Sequence, residues 1–199
     1  MIYAGAPSPH LPGIARVMAE KLIAKKRCLY FNSPSMVAGI RSFLSAAGIN
    51  VAAEVEKGSL ILSSDQTHLI EGRFDSRTML ALLADAVDQA HKGFYAGLWA
   101  AGDMTWEFGP EKNFASLYEY EVGLEELFLK KPTLEGICMY HVDTLPPPAP
   151  EIALQTHRAV YINETLSRMN PFFAQREMPE ELRAFPLPEL QQMMAKAAT

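Results

Sequence analysis

The sequence predicts an α/β fold, a mostly parallel sheet with helices on both faces. Two observations carry that prediction. Short apolar runs without polar alternation, such as Arg27-Cys28-Leu29-Tyr30-Phe31 and Phe94-Tyr95-Ala96-Gly97-Leu98-Trp99-Ala100-Ala101, read as strands buried on both sides. Segments of helical apolar spacing separate them, which is the pattern of βαβ units. At 199 residues the chain suffices for one domain with a core that stabilises itself.

The elements follow in order. Ile2-Tyr3-Ala4 is a short strand that enters a Gly/Pro-rich loop and then an amphipathic helix. Arg27–Phe31 is the next strand, stopped by Asn32-Ser33-Pro34. Ser33 suits a helix N-cap and Pro34 the first helical position, where a missing N–H costs nothing. Met36, Val37, Ile40, Phe43, Leu44 and Ala47 keep helical spacing, and Gly48 ends that helix. Ser59–Ser63 forms a strand. Asp75 caps the following helix, whose apolar face runs through Met79, Leu82, Leu83, Ala86, Val87 and Ala90. The apolar run Phe94–Ala101 has the character of a central strand. A helix over Asn113–Lys130, a strand over Glu135–Tyr140, a short helix over Ala149–Thr156 and a strand over Arg158–Ile162 complete the pattern. Residues 174–199 read as a C-terminal helical tail broken by prolines.

Strand, glycine loop and helix at the start are the frame of a phosphate-binding loop. The chemistry of such a loop needs G-x-x-x-x-G-K-[ST]. Here seven residues separate Gly5 from Gly13, and Ile14-Ala15 stand where lysine and hydroxyl belong. Pro7, Pro9 and Pro12 remove three N–H donors from the segment that would cradle phosphate. The loop is degenerate, and neither nucleotide chemistry nor a cofactor is expected.

Composition narrows the class further. A net charge of −5 and a pI near 5.6 leave no electrostatic footprint for nucleic acid. No apolar run is long enough to span a bilayer and no signal peptide is recognisable, so a cytoplasmic protein is expected. Cys28 and Cys138 lie in apolar strands, and with no C-x-x-C or H-x-x-x-H spacing no metal site is expected.

Ligands in open α/β sheets sit beyond the carboxyl ends of the strands, which directs attention to three stretches. Asp103 and Trp106 leave the central strand; the first also suits a loop or capping role, the second also suits the core. Glu121 falls on the apolar stripe Phe114, Leu117, Leu124, Leu127 and Phe128, where a carboxylate needs a partner or becomes neutral. His141 and Asp143 leave the next strand on one face, without a nucleophile elbow to support hydrolysis.

The ordered motifs Arg27-Cys28-Leu29-Tyr30, Ala47-Gly48-Ile49, Thr67-His68-Leu69, Glu71–Asp75, Gly102-Asp103-Met104-Thr105-Trp106, Tyr120-Glu121, Cys138-x-Tyr140, Thr156-His157 and Asn170-Pro171-Phe172-Phe173 resemble those of the MEDS domain. That domain is the methanogen/methylotroph sensory domain named with the dichloromethane-responsive regulator DcmR, and the resemblance covers residues 1–173. It implies a RecA/KaiC-like fold with decayed ATP-binding machinery and a sensory role. It also implies a small organic, hydrocarbon-derived ligand and a kinase or transcription-regulator partner, with self-association left open. The motif positions carried over are His68, Arg73, Asp103, Trp106, Tyr120, Glu121, Tyr140 and His157; His141 stands where the family has an acidic residue. The alternatives are a KaiC-like nucleotide-binding ATPase with an atypical loop and an interaction adaptor without a small-molecule site.

Overall fold

A computed structural model describes residues 1–65, 69–107, 114–163 and 166–169. The elements run β1 (Ile2–Tyr3), a 3₁₀ turn (Ser8–His10), α1 (Leu11–Ile23), β2 (Arg27–Phe31), α2 (Pro34–Ala46), α3 (Val51–Glu56), β3 (Leu60–Ser63), β4 (Leu69–Ile70) and β5 (Arg73–Phe74). They continue with α4 (Ser76–Lys92), β6 (Leu98–Asp103), α5 (Met104–Glu107), α6 (Phe114–Lys130), β7 (Leu134–His141), α7 (Pro148–Thr156), β8 (Ala159–Asn163) and β9 (Leu166–Met169).

Five strands form one sheet in the order β1-β7-β6-β2-β3, every pair parallel. This is the α/β architecture that the uninterrupted apolar strands require, since both sheet faces must be covered. The antiparallel hairpin β8–β9 brings β8 alongside the outer edge of β1.

Strand alternation divides the core in two. On β6, Leu98 and Ala100 face α4 and α6, while Trp99 and Ala101 face α1 and α2. On β7, Cys138 and Tyr140 belong to the first side, and Ile137 and Met139 to the second. Side chains on neighbouring positions of one strand therefore enter separate cores.

Several local details differ from expectation. The central strand starts at Leu98 rather than Phe94. Phe94 instead adopts a left-handed φ of 60° in the turn that closes α4, and its ring is 96% exposed. Ser33 occupies the N-cap of α2 but its side chain makes no capping hydrogen bond; its Oγ meets Ser35 Oγ at 3.2 Å, leaving Pro34 as the start signal. Asp75 caps α4 as expected, accepting from Thr78 N at 2.7 Å. The short α3, the hairpin β4–β5 and β9 carry too few residues to show periodicity. Glu71 and Gly72 turn the β4–β5 hairpin with φ of 52° and 79°, the left-handed pair a tight hairpin turn demands. The expected tail over 174–199 lies outside the described residues. No helix among the described residues is long and apolar enough to cross a membrane.

Gly97, immediately before β6, has the least room for a side chain among the described glycines. Its φ is +144°, and a Cβ there would sit 2.3 Å from Thr133 O, a backbone atom that cannot swing away. Gly97→Ala is expected to destabilise the fold by at least about 1–3 kcal/mol through overpacking alone, read as a fall in the urea unfolding midpoint.

Candidate functional site

The carboxyl end of the sheet holds two polar clusters, one on each face. On the α1/α2 side, Tyr3 ends β1 with its ring between His10, edge-on at 4.8 Å, and His141, stacked at 4.9 Å. The Tyr3 hydroxyl donates to Asp103 Oδ2 at 3.0 Å, and Thr105 N donates to Asp103 Oδ1 at 2.9 Å. Burial, with the Asp103 carboxylate beside it, pushes the Tyr3 phenol well above its ordinary pKa. Asp103 is thus spent on the start of α5 and on β1.

The same cluster explains the opening loop. Gly5 N donates to Asp143 Oδ2 at 2.7 Å, and His141 Nε2 reaches Gly5 O at 2.7 Å. A carbonyl only accepts, so His141 carries its proton on Nε2, and Nδ1 turns to Thr144 Oγ1 at 2.9 Å. His141 and Asp143 do meet, with Nε2 3.5 Å from Asp143 Oδ2. Their hydrogen bonds go to the loop backbone, and a protein carboxylate holds the N–H of its first glycine.

On the opposite face, α6 buries Glu121 against β7 and α7. Its 1% exposure makes it the most deeply buried charged residue among those described. Tyr140 Oη donates to Glu121 Oε1 in a short hydrogen bond, and His157 Nε2 lies 3.3 Å from Oε2. His157 follows α7, where its Nδ1 donates to Ala153 O at 2.9 Å. That bond puts the proton on Nδ1 and turns Nε2 toward the carboxylate. Burial raises the Glu121 pKa, opposed by the His157 charge and the Tyr140 hydrogen bond. Burial likewise raises the Tyr140 phenol, reinforced by the charge of Glu121.

Cys138 completes this cluster. A carboxylate oxygen of Glu121, Sγ of Cys138 and a ring nitrogen of His157 lie within 4.8 Å of one another. Local spacing could not reveal the group, because its members come from α6, β7 and the residue after α7. The signal present in the sequence was the misplaced carboxylate on the apolar stripe of α6.

The other expected positions scatter. Tyr120 is buried beside Glu121 and packs edge-on against Phe74 at 5.3 Å. Arg73 is exposed on the β4–β5 hairpin. Trp106 lies on α5, and His68 lies outside the described residues. The structure therefore gathers Glu121, Tyr140 and His157 in one place and Asp103 with His141 in another.

Between the sheet and α4 lies an apolar cleft of about 220 Å³ lined by Leu29, Phe31, Ile61, Met79, Leu82, Leu83 and Ala86, with Asp65 at its rim. Met79 and Leu83 also wall a smaller void of about 30 Å³ that reaches Tyr120 and Cys138.

The family model of the MEthanogen/methylotroph, DcmR Sensory domain matches residues 4–158. The chain belongs to the MEDS family. MEDS domains are sensory domains, and the match spans four of the five strands of the parallel sheet, the Glu121 cluster with His157, and the first polar cluster apart from Tyr3. Among curated proteins none matches the sequence.

Glu121 makes the stability of this MEDS domain depend on pH in a definite direction. A native pKa raised above the unfolded value adds stability below the ordinary carboxylate range, and that stability is lost as pH rises through the native value. Glu121→Gln is expected to flatten the decline in urea midpoint from mildly acidic to neutral pH relative to the wild type.

Proposed function

We propose that this MEDS domain senses a small organic ligand of low polarity and relays its binding to a kinase or transcription regulator. The observation that carries the reading is the cleft beside α4. Its walls are aliphatic and aromatic, its volume of about 220 Å³ suits a molecule of a few heavy atoms, and Asp65 is its charged lining residue. Ligand sites are apolar hollows with a few placed polar groups. Met79 and Leu83 line both the cleft and the void beside Tyr120 and Cys138, so a ligand that moves them would reach the neighbours of the Glu121 cluster. Signalling then requires that the ligand bind one conformation of the domain better than another.

A nucleotide is the weaker candidate. The loop that would hold phosphate lacks the lysine and hydroxyl, and Asp143 takes the Gly5 N–H.

The test is a thermal-shift screen of short-chain and halogenated organics, with Mg-ATP alongside. A ligand at a hundred times its Kd is expected to stabilise the wild type by about 2.7 kcal/mol. Leu82 is half exposed at the rim of the cleft, so Leu82→Trp fills it without disturbing the core. That variant is expected to lose the ligand response. An equal response in wild type and variant would move the site elsewhere, and stabilisation by Mg-ATP alone would favour the nucleotide reading.

A further inference from the structure

We propose that Glu121, Cys138 and His157 bind a divalent transition-metal ion of the zinc class. The proposal is independent of the organic-ligand reading. Three donor atoms from three elements, a carboxylate oxygen, a thiol sulfur and an imidazole nitrogen, lie within 4.8 Å of one another. Even an equilateral triangle at that limit puts each atom about 2.8 Å from its centre. Zinc bonds of about 2.0–2.3 Å therefore require each ligand to close by about 0.6 Å at most, on average, from that limiting arrangement.

The surroundings of the cluster point the same way. Glu121 is 1% exposed, yet its Oε2 accepts no hydrogen bond among the described residues. Its other oxygen is held by Tyr140, so the carboxylate is oriented with Oε2 toward His157. The backbone carbonyl of Ala153 takes the His157 Nδ1 proton, leaving Nε2 as the nitrogen that faces the carboxylate. A metal ion here would take the place of the positive charge that His157, when protonated, and the Met1 ammonium present to the buried carboxylate. A hydrogen-bonded histidine and a hydrogen-bonded carboxylate are what outer-shell support of metal ligands looks like. The mixed sulfur, nitrogen and oxygen donors suit borderline divalent ions rather than magnesium or calcium. Three protein ligands also leave a fourth position for water or a small heteroatom ligand.

The experiment uses the full chain, stripped with a chelator and titrated with Co²⁺ and then Zn²⁺. The expected result is a thiolate-to-cobalt charge-transfer band that saturates at one ion per chain and is displaced by zinc. The band is expected to vanish in Cys138→Ser and persist in Cys28→Ser, because Cys28 lies in the opposite core. Tyr140→Phe is expected to weaken metal binding by about 10–100-fold. Zinc is also expected to slow alkylation of Cys138 in the wild-type chain, a readout that needs no variant to fold. Absence of the band in folded wild type, a band unchanged in Cys138→Ser, or alkylation of Cys138 indifferent to zinc would each overturn the assignment. Leu82→Trp is expected to keep the metal while losing the organic ligand, so the two proposals fail separately.

Discussion

A carboxylate on the apolar face of a helix must be met by partners or carry a proton, and Glu121 imposes that condition on everything around it. Tyr140 has to project from β7 toward α6, which fixes the alternation of the whole strand and sends Met139 and His141 to the other face. His157 has to stand at the end of α7, where the carbonyl of Ala153 sets its tautomer. A single buried charge thus joins α6, β7 and α7 at fixed relative heights. Burying such a charge costs several kcal/mol, against which the Tyr140 hydrogen bond and the His157 contact act.

The two faces of the sheet divide the labour. On one, Tyr3, Asp103, His141 and Asp143 fasten the opening loop to the strand ends. The segment that serves other proteins of this architecture as a phosphate cradle is here tied down by the protein's own groups. On the other, Met79 and Leu83 wall both the apolar cleft and a smaller void that reaches Cys138. The first arrangement ties the opening loop to the sheet, and the second sets an apolar hollow beside a buried polar cluster.

Much of this was legible in the sequence. The uninterrupted apolar strands announced a parallel sheet, Asp75 announced the start of α4, and Glu121 stood out against its stripe. What escaped was non-local. Cys138 read as a small hydrophobe because its partners, Glu121 and His157, lie 17 and 19 residues away along the chain and meet it only through packing. His141 and Asp143 suggested an acid–base pair, and only the fold shows their hydrogen bonds reaching back across more than 130 residues to Gly5. Phe94–Gly97 looked like strand because its residues are apolar, whereas the left-handed turn after α4 overrode that preference.

The most direct test of this account is a double-mutant cycle between Tyr140→Phe and Glu121→Gln, followed by urea unfolding at neutral pH. If the buried carboxylate depends on the tyrosine, the two substitutions should couple by about 0.5–3 kcal/mol, the double variant losing less than the sum of the singles. Additivity within about 0.3–0.5 kcal/mol would contradict it and show that α6 and β7 hold together without that hydrogen bond.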